Sequence, residues 1–351
     1  MKTLMVIAGG TGGHIMPGLA VADHLRSLGW RIAWMGNPQG MEARLTAERD
    51  FLRAWVDFSG LRGKGLVAKL TLPSRLLLAF WQARHQLLRI RPDVVLGMGG
   101  YMSFPGGLMA AQLGIPLVIH EQNAVAGLAN RVLARLADRV LSGFPDVLAN
   151  GVWLGNPLRA DFAQLPPPAE RLAGRSGPLR LLILGGSLGA RPLNETVPRG
   201  LALLPADQRP EVVHQCGEQH RASVQTLYAS EGLRAHCVPF IAEMAEAYAW
   251  TDLVICRAGA MTIAELAAAG VASVLIPLPH AVDDHQTANA RFLANAGAAI
   301  LLPQQELTPE IISLLRNLTR EQLLQMAERA RALAKPDATR QVARVCEELS
   351  R

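Results

Sequence analysis

The chain has 351 residues, half of them hydrophobic and 18% charged, with a formal net charge of +6. A domain typically runs about 100–200 residues, so this length suits two, and the apolar content excludes a disordered or low-complexity chain. The positive balance points to an acidic partner, an anionic lipid surface or a phosphorylated substrate, while three tyrosines and no aromatic-basic motif speak against nucleic acid.

The opening "MKTLMVIAGG" holds too short an apolar run for a signal peptide, and no stretch reaches the roughly 18 apolar residues of a membrane span. A cytoplasmic location is expected. Four cysteines, Cys216, Cys237, Cys256 and Cys346, stand far apart, which suits a reducing compartment and argues against a disulfide frame or a zinc site.

Strand-like runs recur in order: "TLMVIAG", "RIAWMG", "DVVLGMGG", "PLVIHEQ", "RVLSGF", then "LRLLILGGS", "EVVHQCG", "DLVICRAG", "ASVLIPLP" and "AAILLP". Stretches of helical period separate most of them, such as "MPGLAVADHLRSLG", with Pro17 near its start and Gly29 at its end. Strands alternating with helices predict parallel sheets covered on both faces. The pattern runs twice. Prolines and small residues at 156–180 mark a linker, and each half begins alike with a strand, a glycine loop and a helix. The expectation is an α/β chain of two Rossmann-like domains, 1–158 and 159–351, facing a central cleft that holds the active site. The final helix is a candidate to pack back on the first domain.

Four glycine-rich loops follow predicted strands: "GGTGGH" (9–14), "GGYMSFPGG" (99–107), "GGSLGA" (185–190) and "RAGAMTIAE" (257–265). The first fails the dinucleotide fingerprint, which needs a glycine at Ile15, and fails the P-loop, which needs Lys then Ser or Thr. All four remain suited to phosphate, because amides at a helix N-terminus carry partial positive charge. Ala260, Met261 and Thr262 would present such amides to a diphosphate. Glu265, one turn on, either accepts ribose hydroxyls or merely neutralises the first turn of its helix. In "PLPHAVDDHQTANA" (277–290), Asp283, Asp284 and His285 adjoin too closely to converge on a metal, so the aspartates are read as helix caps. Gln286 and Asn289 share a helix face and can bond a sugar. In "IHEQNAVAG" (119–127), His120 is a structural hydrogen-bonder or a ligand.

"GGTGGHIMPGLA", "GGYMSFPGG", "HEQNAVAG", "GNPLR", "GGSLGA", "RAGAMTIAEL" and "PLPHAVDDHQTANA", in this order from residue 4 to about 340, resemble the MurG family. Those enzymes move N-acetylglucosamine from UDP-N-acetylglucosamine to the undecaprenyl-pyrophosphoryl-muramyl-pentapeptide lipid I, giving lipid II for peptidoglycan. The resemblance implies a GT-B fold, no metal or other cofactor, the nucleotide sugar held mainly by the second domain and the lipid acceptor by the first. It implies that Ala260, Met261, Thr262, Ile263, Ala264 and Glu265 hold uridine ribose and phosphate, that Ile241 meets the uracil edge, that Ser187 touches the diphosphate, and that Gln286, with Asn289 beside it, meets the sugar. Thr11, Gly12, Gly13, Asn123 and Arg159 would complete the donor pocket.

The reaction so implied is attack by the muramyl 4-hydroxyl on the anomeric carbon, with inversion and loss of UDP. His14 is the candidate base, since imidazoles titrate near neutral pH; the competing role is to shape the loop. Two other functions share the donor motifs: a UDP-N-acetylglucosamine 2-epimerase or hydrolase, and a non-catalytic membrane scaffold that only binds the nucleotide sugar. A last feature lies at 61–91, where Leu66, Leu70, Leu72, Leu76, Leu77, Phe80 and Trp81 interleave with Lys64, Lys69, Arg75, Arg84, Arg89 and Arg91 and no acid occurs. Leu77, Leu87 and Leu88 are expected in the core, and the remainder to dock on anionic lipid. The protein is thus expected at the cytoplasmic side of the cell membrane, peripherally, with a cell-wall synthesis complex as a further candidate partner.

Overall fold

The computed structural model describes residues 1–60, 71–279 and 282–350. Lys64, Leu66, Lys69 and Leu70 lie outside the described residues, as do His280 and Ala281. The chain forms two compact units, Met1–Arg159 with Lys335–Arg351, and Ala160–Ala334. No described helix is long and apolar enough to cross a membrane.

The N-terminal unit carries seven strands: β1 (Thr3–Ile7), β2 (Arg31–Gly36), β3 (Leu52–Trp55), β4 (Val94–Gly97), β5 (Leu117–Glu121), β6 (Arg139–Ser142) and β7 (Val152–Trp153), in the order β3-β2-β1-β4-β5-β6-β7. The described pairings are parallel, and β1, β4 and β5 are buried along their whole length, as a sheet covered on both faces requires. Successive residues point to opposite faces: Leu4 and Val6 enter one core with Leu19, Ala22 and Leu25, while Met5 and Ile7 enter the other with Ala79, Ala83 and Leu87. The final helix, Ala338–Leu349, joins the first core through Val342, Ala343 and Cys346.

The C-terminal unit repeats the plan with β8 (Arg180–Leu184), β9 (Glu211–Gln215), β10 (His236–Val238), β11 (Leu253–Cys256), β12 (Ala272–Leu275) and β13 (Ala299–Leu301), ordered β10-β9-β8-β11-β12-β13. The stretch read as a linker is, from Ala160 onward, built onto this unit. Phe162 is buried against Tyr248, and Arg171 donates to the carbonyls of Ala269 and Gly270 at 2.6 Å each, capping the helix Ala260–Ala269. Arg175 donates to Ala249 and Trp250 carbonyls and pairs at 2.7 Å with buried Asp252, which Arg320 also meets at 3.2 Å.

Two further expectations change. The first helix begins at Gly12, five residues before Pro17, so Gly12 and Gly13 of "GGTGGH" form its opening turn while Gly9 and Gly10 stay in the loop; it ends as expected, with Gly29 at φ 84°. In the helix Leu72–Ile90, Leu87 is core, but Leu77 and Leu88 are exposed at 69% and 46%, beside Trp81 at 66%. Ala79, Ala83, Leu87 and Ile90 form its buried face and Leu72, Leu76 and Phe80 pack partly against the same core, which leaves Leu77, Leu78, Trp81 and Leu88 outside.

Candidate active site

In each unit the central pair of strands, β1 with β4 and β8 with β11, sends its connections to opposite sides of the sheet. Such switch points leave an opening at the carboxyl ends of the strands where α/β proteins bind ligands. All four glycine loops leave these four strands.

In the N-terminal unit the first loop is wound round a buried carboxylate. Glu42, 0% exposed, accepts from the amides of Asn37 (2.8 Å) and Gly10 (3.3 Å), and a Cβ at Gly9, Gly36 or Gly40 would strike it. A buried charge needs such bonds, so the glycines are the clearance that lets Glu42 brace the loop. Burial, then the Glu42 charge, pushes the Tyr101 phenol up to about 12.

His14 lies in the opening turn of the first helix, partly exposed. Its ring packs against the second loop, where Gly99 (φ 80°) and Gly100 (φ 77°) come so near that a Cβ on either would lie 3.3 Å from the imidazole. Its Nδ1 is 2.7 Å from Oε1 of Gln122. Gln122 Nε2 in turn lies 3.1 Å from His120 Nδ1 and donates to the His120 carbonyl at 3.0 Å, and His120 Nε2 is 2.9 Å from the Gly155 carbonyl. His120 is therefore the structural hydrogen-bonder; burial holds its pKa down to about 4. Glu121 accepts from the amides of Asn123 (3.0 Å) and Gly127 (3.0 Å) and from Asn130 Nδ2 (2.9 Å). Asn123 Nδ2 donates to the same carboxylate at 3.2 Å. Thr11 is exposed, Gly12 and Gly13 are half-buried, and Arg159 is exposed at the end of the unit.

In the C-terminal unit the helix Ala260–Ala269 starts behind Gly259 with no side chain capping it, so its first amides keep their polarity for a ligand. Ala260 and Ile263 are buried at 7% and 1%, so they can offer backbone only, while Met261, Thr262 and Ala264 are half-buried. The helix has no acid in its first turn: Glu265 lies beyond it and accepts from the Tyr248 hydroxyl at 3.3 Å, which removes the neutralising role. Ser187 is exposed at the apex of "GGSLGA", and the Ile241 amide is held by Gln215 Oε1 at 3.2 Å. Gln286 Oε1 accepts from the Leu278 amide at 2.9 Å. Asn289, read as a sugar ligand, is 0% exposed and donates to the Ala258 carbonyl at 3.2 Å, so it anchors the loop before the helix rather than lining the surface. Asp284 is not a side-chain cap: its carboxylate takes the Thr287 hydroxyl at 2.7 Å.

The glycosyltransferase family 28 N-terminal domain matches residues 4–142 and its C-terminal domain residues 180–342. The UDP-N-acetylglucosamine–N-acetylmuramyl-(pentapeptide) pyrophosphoryl-undecaprenol N-acetylglucosamine transferase of Azoarcus sp. is 65% identical over 351 residues, 100% of this chain and 99% of its own. The enzyme of the same name from Dechloromonas aromatica is 61% identical over 350 residues, again 100% and 99%. The crystal structure of Acinetobacter baumannii MurG superposes with a TM-score of 0.87 at 42% identity, over 99% of this chain and 100% of that one. The chain belongs to the MurG family. It has the GT-B fold of that family and is an N-acetylglucosaminyltransferase, a hexosyltransferase.

Side chains that the sequence patterns left unassigned complete this MurG-family site from behind. Glu42, Glu121, Gln122 and Asn130 are buried polar groups; Glu42 reaches Gly10 and Gln122 reaches His14 from distant parts of the chain, while Glu121 and Asn130 bond each other and their near neighbours. Gln122 and Glu121 stood inside the quoted "HEQNAVAG", and their position at the end of a strand was the available signal. Glu42 carried none.

Proposed function

We infer that the chain transfers N-acetylglucosamine from UDP-N-acetylglucosamine to the 4-hydroxyl of the muramyl sugar of lipid I, with inversion, to give lipid II. The observation that carries the mechanism is the placement of His14: a partly exposed imidazole beyond the end of β1, packed over two glycines, with Nδ1 engaged by Gln122. The hydroxyl proton passes to the imidazole as the oxygen attacks the anomeric carbon, the bond to UDP breaks, and the electron pair leaves with the diphosphate. A base so placed typically contributes about 10²–10⁴ in rate. The amides of Ala260, Met261 and Thr262, with the charge of Arg159 and the hydroxyl of Ser187, stabilise the leaving diphosphate. Glu265 takes the ribose hydroxyls, Ile241 the uracil edge and Gln286 the sugar, while Thr11, Gly12, Gly13 and Asn123 meet the donor from the N-terminal unit.

The lipid acceptor obliges the enzyme to work at a membrane face, and the helix Leu72–Ile90 offers one. Leu77, Leu78, Trp81 and Leu88 form an exposed stripe with Arg84 and His85 among them, the latter stacked on Trp81 at 5.9 Å. Apolar residues beside cations suit peripheral docking on the anionic cytoplasmic leaflet. Labelled UDP-N-acetylglucosamine, incubated with and without lipid I, tests the reaction: acceptor-dependent UDP release supports it, acceptor-independent chemistry would indicate an epimerase or hydrolase, and no turnover a scaffold. Co-sedimentation with phosphatidylglycerol vesicles that survives Leu77→Ser with Trp81→Ser and is insensitive to salt would remove the docking face.

A further inference from the structure

An imidazole can act as a base only through a nitrogen that lacks a proton, and which nitrogen that is depends on the hydrogen bond the other one makes. Behind His14 the answer follows from two main-chain carbonyls, which can only accept. The His120 carbonyl lies 3.0 Å from one end of the Gln122 side-chain amide, so that end is the NH₂ group; the reverse orientation would set oxygen against oxygen. The other end, 2.7 Å from His14 Nδ1, is then the amide oxygen, and Nδ1 must carry the hydrogen between them. At the far end, the Gly155 carbonyl 2.9 Å from His120 Nε2 places that ring's hydrogen on Nε2, leaving its Nδ1 bare to accept the second amide hydrogen of Gln122 at 3.1 Å. Every donor in the series has an acceptor. Gln122 and His120 are 1% and 0% exposed, so water cannot compete for these bonds, and the Gln122 main chain is itself held by Asn156 Nδ2 at 3.0 Å.

We propose that Gln122 is a positioning residue for His14: its buried amide holds the imidazole as the Nδ1–H tautomer, which makes Nε2 the nitrogen that takes the acceptor's proton, and His120 fixes the amide. This rests on His14 being the base. When Nε2 is protonated, the Nδ1–H bond to the neutral amide oxygen tightens without a negative charge to trap the proton, so His14 can release it after each turnover. Two carboxylates border the network, and both are occupied: Glu121 by Asn123, Gly127 and Asn130, and Glu42 by Asn37 and Gly10. The low pKa of His120, about 4, keeps that ring neutral and accepting at neutral pH.

Long-range ¹H–¹⁵N spectra of the full chain labelled at histidine read the tautomer directly, with His14→Gln used to assign the signal. Wild type should show Nδ1 protonated and Nε2 bare. Gln122→Met should shift His14 toward the other tautomer, lower kcat about 10–100-fold and leave KM for UDP-N-acetylglucosamine within about twofold. Gln122→Glu should raise the His14 titration and the acid limb of kcat/KM together by about 1–3 pH units, since a facing carboxylate favours the imidazolium. A bare Nδ1 in wild type, or an unchanged tautomer in Gln122→Met, overturns the proposal, and the wild-type spectrum decides even if the variant does not fold. A changed tautomer with unchanged kcat overturns only the assignment of His14 as the base.

Discussion

The two units start from one pattern, strand, glycine loop and helix, and use their glycines differently. Around the N-terminal loops the glycines make room mainly for side chains: Gly9 and Gly36 for Glu42, and Gly99 for Asn130 and the His14 ring, while Gly100 clears the Gly9 carbonyl as well as that ring. In the "GGSLGA" loop of the C-terminal unit, and at Gly217 beside it, they make room for backbone. A Cβ on Gly185 would lie 2.5 Å from the Ala190 amide, one on Gly189 would strike the Cys216 carbonyl, and one on Gly217 the Leu188 carbonyl. The first arrangement delivers a titratable group to the end of a sheet, the second bare amides at a helix start. Moving a proton asks for a side chain, and holding a diphosphate asks for amides.

If that division holds, the largest effect belongs to the side chain. His14→Ala should lower kcat by about 10²–10⁴ while changing KM for the donor little, because a base acts on the transition state. Loss of donor affinity at unchanged kcat would give the histidine a loop-shaping role and dissolve the contrast. The corresponding break in the other unit is structural. Gly189 sits at φ 78° and its Cβ would collide with the Cys216 carbonyl, so Gly189→Ala should cost about 3 kcal/mol in urea unfolding, whatever it does to donor binding.

The central strands of both sheets and all four loops were legible because buried parallel strands write continuous apolar runs and tight approaches write glycine. The strands that left no readable run, β3, β7 and β10, are three of the four sheet edges, short and half exposed, with burial supplied by neighbours rather than by their own pattern; the fourth edge, β13, is as short but writes the apolar run "AAILLP". The same reason hid Glu42 and Gln122. A buried carboxylate or amide looks in sequence like a surface one, and only the fold brings Gly10, 32 residues away, or His14, 108 away, to its atoms. Asn289 misled in the opposite sense: a polar residue one turn from Gln286 reads as a shared face, yet its side chain points inward to Ala258.

Among the described residues each unit buries one neutral histidine, which lets acid compare them. His120 is held down to about 4 and His214, bonded to Tyr228 and Asn194 at 3.0 Å each, to about 3, both chiefly by burial. Unfolded histidines titrate near 6.5, so the unfolded chain binds protons first: the stabilisation is complete above about 6.5 and is lost as pH falls toward the folded values. Between pH 7 and 5 each histidine should cost about 2 kcal/mol of unfolding free energy, since one pH unit is about 1.4 kcal/mol. A urea midpoint unchanged over that interval would mean that neither ring is buried neutral.

A smaller effect is expected at Glu265, where two roles must be separated. Glu265→Ala should weaken UDP affinity about ten- to a hundredfold through the ribose, and it also strips the buried Tyr248 hydroxyl of an acceptor 3.3 Å away. Tyr248→Phe removes that second role alone and should leave UDP affinity unchanged in calorimetry. Equal losses in the two variants would make Glu265 a brace for the helix rather than a ribose ligand.

The mildest substitution tests the contrast most sharply. At Gly12 a Cβ would meet nothing within 4 Å, and its φ is not positive, so neither clearance nor backbone strain inside the protein requires glycine there. It differs in this from Gly9 and Gly10 beside it, whose Cβ atoms would touch Glu42 and Tyr101. Space that the protein leaves open at a helix start is space a ligand can enter, and a methyl group there would hold it off the amides. Gly12→Ala should therefore leave the unfolding free energy within about 0.5 kcal/mol, or raise it slightly through a less flexible unfolded chain. The same change should raise KM for UDP-N-acetylglucosamine or lipid I by about tenfold, a loss of about 1.4 kcal/mol. Wild-type KM values for both substrates would show that nothing approaches Gly12, and would confine the close approach of substrate to the amides of the C-terminal unit.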